Sequence, residues 1–158
     1  MPVSVVARAR ARGVRAAAVR SDARRLLVAL HETRAELTVS LVSDAEIQRL
    51  NRADRGIDRP TDVLAYAMRE GPRAPGDEWA LGDVVVSVDT ATRQARHRGV
   101  STADEVRALL IHGLLHLLGY DHERSPAEAR RMKARERQLH TVLAKDRSGP
   151  AGRRGARP

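Results

Sequence analysis

The stretch Thr102-Ala103-Asp104-Glu105-Val106-Arg107-Ala108-Leu109-Leu110-Ile111-His112-Gly113-Leu114-Leu115-His116-Leu117-Leu118-Gly119-Tyr120-Asp121-His122 decides how the rest of the chain is read. Thr102 and Glu105 have the spacing of a capping box, and the apolar residues after them predict a long buried helix that runs to Leu118 and stops at Gly119. His112 and His116 are spaced i and i+4, so their rings leave one helix face about one turn apart. Gly119 permits a left-handed turn at the helix end, which can swing His122 back toward the same point. Three imidazoles at one place form a ligand set for zinc, and three protein ligands leave a fourth position for water, as in catalytic sites. One Zn2+ per chain, on His112, His116 and His122, is therefore expected. A lone histidine on an apolar helix is usually a satisfied core residue, but three at this register fit a metal better. His31, His97 and His140 fall at helix ends or exposed faces and read as ordinary surface residues.

The same spacing matches the extended zinc-protease pattern H-E-x-x-H-x-x-G-x-x-H with one departure, since Gly113 stands where the glutamate base belongs. Without that carboxylate the peptidase mechanism loses its proton acceptor. Asp121, adjacent to His122, is a candidate either to orient that ligand or to accept a proton, and spacing does not separate the two roles.

Outward from this stretch, Leu81 to Val88 contains four valines and reads as a central strand covered on both faces. A helix over Thr90 to Arg98 follows and ends at Gly99. Upstream, Glu36 to Val42 alternates Leu37, Val39 and Leu41 with Thr38 and Ser40, the period of a half-buried strand. Ser43 with Glu46 predicts a short helix over Asp44 to Asn51. A polar loop from Arg52 to Pro60, a strand from Thr61 to Met68 and a surface loop from Gly71 to Gly76 are expected next. Val14 to His31 has helical spacing, and Val3 to Ala7 suggests an opening strand. Ser125, Pro126 and Glu128 begin a last helix that reaches about Ala144. Strands and helices intermix without strict alternation, so the fold class is α+β: a small mixed sheet covered by helices, with the metal site at the end of a long helix.

At 158 residues, 42% of them hydrophobic, the chain suits one compact domain over residues 1–146, with a disordered basic tail over 147–158. Cysteine is absent, which excludes disulfides, cysteine zinc fingers and a thiol nucleophile and makes the cytoplasm the expected compartment. The longest apolar stretches are too short to span a membrane. Five arginines precede Asp22 (Arg8, Arg10, Arg12, Arg15, Arg20) and four follow Asp146, and together they account for the whole formal charge of +9. Such ends attract a polyanion without specifying it, or serve as solubilising tails. Trp79, Tyr66 and Tyr120 are the only aromatics, so base stacking on an aromatic platform is not expected.

The run from His112 to His122 resembles the histidine signature of the YbeY-type rRNA maturation factors. Leu50-Asn51, Arg55-Gly56 and Pro60-Thr61-Asp62-Val63-Leu64 resemble that family's segment before the sheet, and Leu81-Gly82-Asp83-Val84-Val85-Val86 its central strand. Glu128 and Met132 in the last helix also fit. The resemblance covers about Glu36 to Ala144. Ala65, Tyr66 and Ala67 depart from it, because the family commonly has Ser-Phe-Pro there. It implies a four-stranded mixed sheet, zinc on His112, His116 and His122, and a cleft carrying Arg55 as the family's functional arginine. A guanidinium beside the metal would grip a phosphate by two hydrogen bonds. Asp58, Arg59 and Asp62, in the same segment, read as loop salt bridges or turn caps.

The resulting expectation is a zinc-dependent, single-strand-specific endoribonuclease acting in 3′-end maturation of 16S rRNA and in ribosome quality control. Its catalytic candidates are Arg55 and Asp121, and its partners are ribosomal RNA and ribosomal subunits or proteins, with no membrane and no DNA. A metallohydrolase of another bond, such as a peptide, and a non-catalytic zinc-stabilised ribosome-binding factor are the alternatives.

Overall fold

Two segments with unmistakable strand patterns, β2 (Glu36–Val42) and β4 (Ala80–Ser87), pair in the middle of a sheet. The computed structural model describes residues 3–69 and 78–147. β1 (Val3–Ala7) adds parallel to β2, and β3 (Val63–Ala67) adds antiparallel to β4, giving a four-stranded mixed sheet of order β1-β2-β4-β3. The α+β class and the central place of the valine strand are as expected. Val84 and Val86 face the larger core, while Val85 packs with Val42, Ile47 and Leu64 on the opposite face.

Gly82 is required where β4 meets β3. Its φ is +146°, and a Cβ there would lie 2.2 Å from the Tyr66 carbonyl oxygen. At the same place the pairing with β2 slips by one residue, between Glu36 and Leu37.

Five helices cover the sheet: α1 (Ala16–Ala29), α2 (Asp44–Arg55), α3 (Val88–Arg98), α4 (Thr102–Leu117) and α5 (Pro126–Arg147). Several ends differ from the sequence expectations. α2 runs past Asn51 through Arg55 and closes on Gly56 at φ +71°, so Arg52 to Arg55 form its last turn rather than a loop. That turn, Arg52, Ala53, Asp54 and Arg55, carries no large apolar residue and faces solvent, so apolar spacing gave no sign of it, whereas the left-handed glycine cap ends the helix there. The cap of α4 is Ser101, whose Oγ accepts the Asp104 N–H at 3.0 Å, and not Thr102, which is already helical. α3 begins directly at the end of β4 with Ser87 as its cap, and α5 passes Ala144. Ser125 caps α5 as expected, accepting from Glu128 N–H at 3.1 Å.

The arginines before Asp22 do not lie on a tail. Val3 to Ala7 form a strand, and Ala9, Ala11 and Val14 pack against the core, which ties this segment down. The loop expected over Gly71 to Gly76 lies outside the described residues, as does the basic tail apart from Arg147, which ends α5. No helix among the described residues is long and apolar enough to cross a membrane.

Candidate metal centre

α4 is buried on nearly every side by Val106, Leu110, Ile111, Leu114 and Leu115, and its open strip carries His112 and His116. The helix lies close against the sheet because Gly113 has no side chain. A Cβ at Gly113 would sit 2.8 Å from Cγ1 of Val84 and 3.2 Å from Cγ2 of Val63. The position that holds the glutamate of a zinc protease is therefore filled here by the sheet.

After Leu118 the chain turns through Gly119 at φ +94°, with the Gly119 N–H donating to the His116 carbonyl at 3.0 Å and the Tyr120 N–H to Leu115 at 3.1 Å. This reversal brings His122 back. The His112 and His116 ring centroids are 4.6 Å apart, and the His122 ring lies 5.3 Å from the first and 5.5 Å from the second. One nitrogen of each ring lies within 4.8 Å of the others, and the Nε2 atoms of His112 and His116 are 3.1 Å apart. Tetrahedral zinc with bonds of about 2.1 Å needs donor separations of roughly 3.4 Å, so three imidazoles placed this way can hold one metal ion.

The electrostatics suit a cation. The His116 pKa is lowered, first by burial and then by its two histidine neighbours, an effect partly offset by Asp121 and Glu123. At neutral pH that ring is uncharged, the form that binds metal. Glu136 of α5 stands 3.2 Å from His112 Nδ1, and its carboxyl is held below the usual range mainly by that hydrogen bond, against the effect of burial. Sequence reading missed Glu136. The available signal was an acid on the apolar stripe of α5, between Met132 and Leu139, both of which are buried.

The three histidines line a cleft of about 620 Å³ that also contains Arg55, Asp121, Tyr120 and the strand residues Val63, Ala65 and Ala67. Arg55 reaches it from the C-terminal end of α2. Among the described residues Arg55 makes no hydrogen bond and no ion pair, and the neighbouring Asp54 carboxylate is taken by the Tyr66 hydroxyl at 2.7 Å. Burial, and then this bond to Asp54, push the Tyr66 pKa up. Asp121 is occupied with its own turn: Oδ1 accepts the Glu123 N–H at 2.9 Å, and Oδ2 faces Arg124 Nε at 3.6 Å. Three polar neighbours in the segment before β3 have structural partners. Gln48 donates to Asp58 at 3.0 Å, Asn51 donates to the Arg59 carbonyl at 2.9 Å, and Asp62 accepts from Val63 N–H at 2.8 Å and from Gln94 at 3.2 Å.

Comparison with known proteins agrees with this architecture. A family model described as endoribonuclease YbeY matches residues 7–144. A relative from Geobacter metallireducens named endoribonuclease YbeY is 43% identical over 147 residues, covering 92% of this chain and 98% of its own. Another of that name from Aquifex aeolicus is 41% identical, covering 89% and 92%. The solution structure of TM1509 from Thermotoga maritima superposes with a TM-score of 0.61 at 28% identity, over 94% of this chain and 95% of that one. On the extent of these matches, and with three histidines converging as the sequence resemblance implied, the chain belongs to the endoribonuclease YbeY family.

Proposed function

We propose that the chain is a zinc-dependent, single-strand-specific endoribonuclease that hydrolyses phosphodiester bonds in ribosomal RNA. Its place is 3′-end maturation of 16S rRNA and ribosome quality control in the cytoplasm, with ribosomal subunits or proteins as partners. The observation that carries this reading is the convergence of three imidazoles in a cleft that also holds Arg55, which has no ion pair among the described residues.

His112, His116 and His122 would hold the ion, which when bound supplies Lewis-acid polarisation at the scissile phosphodiester. Arg55 binds a phosphate oxygen. Its guanidinium pairs with no carboxylate among the described residues, so none of those ion pairs must break before substrate enters. Asp121 holds the turn that carries His122 and acts through that ligand. β3 is an edge strand whose residues line the cleft, a surface suited to splayed bases rather than to a duplex. The peptidase alternative is weakened because no side chain fits at Gly113 without displacing Val84.

The test combines metal analysis with cleavage of an rRNA fragment, with and without chelator. His112→Ala and His116→Ala are expected to lose both zinc and cleavage. Unchanged zinc stoichiometry in either variant would refute the ligand assignment, and turnover of casein without RNA cleavage would favour the peptidase.

A further inference from the structure

We infer that Glu136 is a positioning residue for the metal centre, its carboxylate accepting the Nδ1–H of His112 and committing that ring to the tautomer whose Nε2 faces the other histidines. The inference rests on the metal reading proposed above. The two nitrogens of His112 point to separate tasks: Nδ1 lies 3.2 Å from Glu136 Oε2, and Nε2 lies 3.1 Å from Nε2 of His116. A carboxylate accepts but does not donate, so the contact is a hydrogen bond only when the proton sits on Nδ1. The Nε2 lone pair is then free, and it is aimed at the shared centre.

The placement is rigid. Glu136 follows Met132 by one helical turn and precedes Leu139 by nearly one, and these neighbours are 1% and 0% exposed, so the carboxylate rides on the face by which α5 packs on the core. Among the described residues the other rings lack such a partner. His122 faces Glu123 at 3.9 Å, beyond hydrogen-bond reach, on an exposed side chain. Among the described residues Glu136 alone holds a ring of the trio by a carboxylate hydrogen bond. It does so on His112, the first of the two histidines along α4, and from a different helix. The centre is thereby tied to α5 as well as to α4 and its following turn.

Two measurements on the full chain test this: zinc affinity by competition with a chromophoric chelator, and the His112 tautomer in metal-free protein by long-range proton–nitrogen NMR. Glu136→Ala is expected to weaken zinc binding by about 10- to 100-fold while still reaching wild-type stoichiometry at saturation. It should also turn His112 from the Nδ1–H form into a mixture. Glu136→Gln keeps an acceptor oxygen and should lose less, and it serves if the alanine variant does not fold. Met132→Ala loosens α5 without touching the carboxylate and should leave the tautomer as in wild type. The inference is overturned if both Glu136 variants bind zinc within about twofold of wild type. It is equally overturned if the His112 tautomer is unchanged in them. A wild-type protein that takes up no zinc would instead sink the metal reading, and the tautomer measurement would still decide the role of Glu136.

Discussion

Gly113 on α4 stands so close to Val84 on β4 that a Cβ added to the glycine would lie 2.8 Å from Cγ1 of the valine. Val84 is fully buried and β-branched, so it has little freedom to move aside. Overpacking costs about 1–3 kcal/mol, whereas replacing glycine inside a helix returns about 1 kcal/mol. Gly113→Ala is therefore expected to lower stability in denaturant titration. Gly113→Glu, which restores the protease pattern in sequence, should be far less stable and should show no peptidase activity. A Gly113→Ala protein as stable as wild type would mean that α4 can lift from the sheet at no cost.

Arg55 shares the cleft with the histidines but touches none of the chain's carboxylates among the described residues. Arg55→Ala should reduce RNA cleavage by about 10²–10³ with zinc content unchanged, the scale of losing one preorganised group that stabilises developing charge. Arg55→Lys should recover little, because an ammonium cannot make the two parallel bonds of a guanidinium. Cleavage at the wild-type rate by Arg55→Ala would remove this residue from the mechanism.

Asp121 can be tested against its rival role. Asparagine keeps an oxygen for the Glu123 N–H, so Asp121→Asn should retain zinc binding and most of the cleavage rate. A proton acceptor would not survive that change, and near-complete loss of turnover with zinc still bound would assign Asp121 to catalysis.

The lowered pKa of His116 sets a pH dependence for the metal-free protein. The unfolded chain takes up this proton near the ordinary value of 6.5, while the folded protein resists it until lower pH. Between those two points the unfolded state binds more protons, so stability falls as pH drops below 6.5 and levels off once the folded ring is also protonated. Denaturant titrations on either side of that value should show the slope, and His116→Ala should flatten it. Zinc affinity should fall over the same range because protons compete for the ligand nitrogens.

Local patterns were legible where a residue's neighbours in sequence are also its neighbours in space. The alternation in β2, the left-handed cap at Gly99 and the pairing of His112 with His116 all follow from periods of two or 3.6 residues. The last turn of α2 was not legible, because Arg52, Ala53, Asp54 and Arg55 carry no apolar period and only Gly56 marks its end. The cap of α4 differs by one residue because Glu105 completes a capping-box spacing from Thr102, whereas the backbone leaves the helix at Ser101, which caps through Asp104 N–H.

By itself the sequence determined the elements, the family resemblance and the histidine register, since each depends on chemistry within a few residues along one chain segment. Only the tertiary structure decided that the free edge of β3, the C-terminal turn of α2 and the buried face of α5 meet at those histidines. It thereby brought Arg55 into the cleft and Glu136 against His112. No period in sequence encodes such meetings, because they arise from the packing of whole elements, here set by how closely Gly82 and Gly113 let the backbones approach.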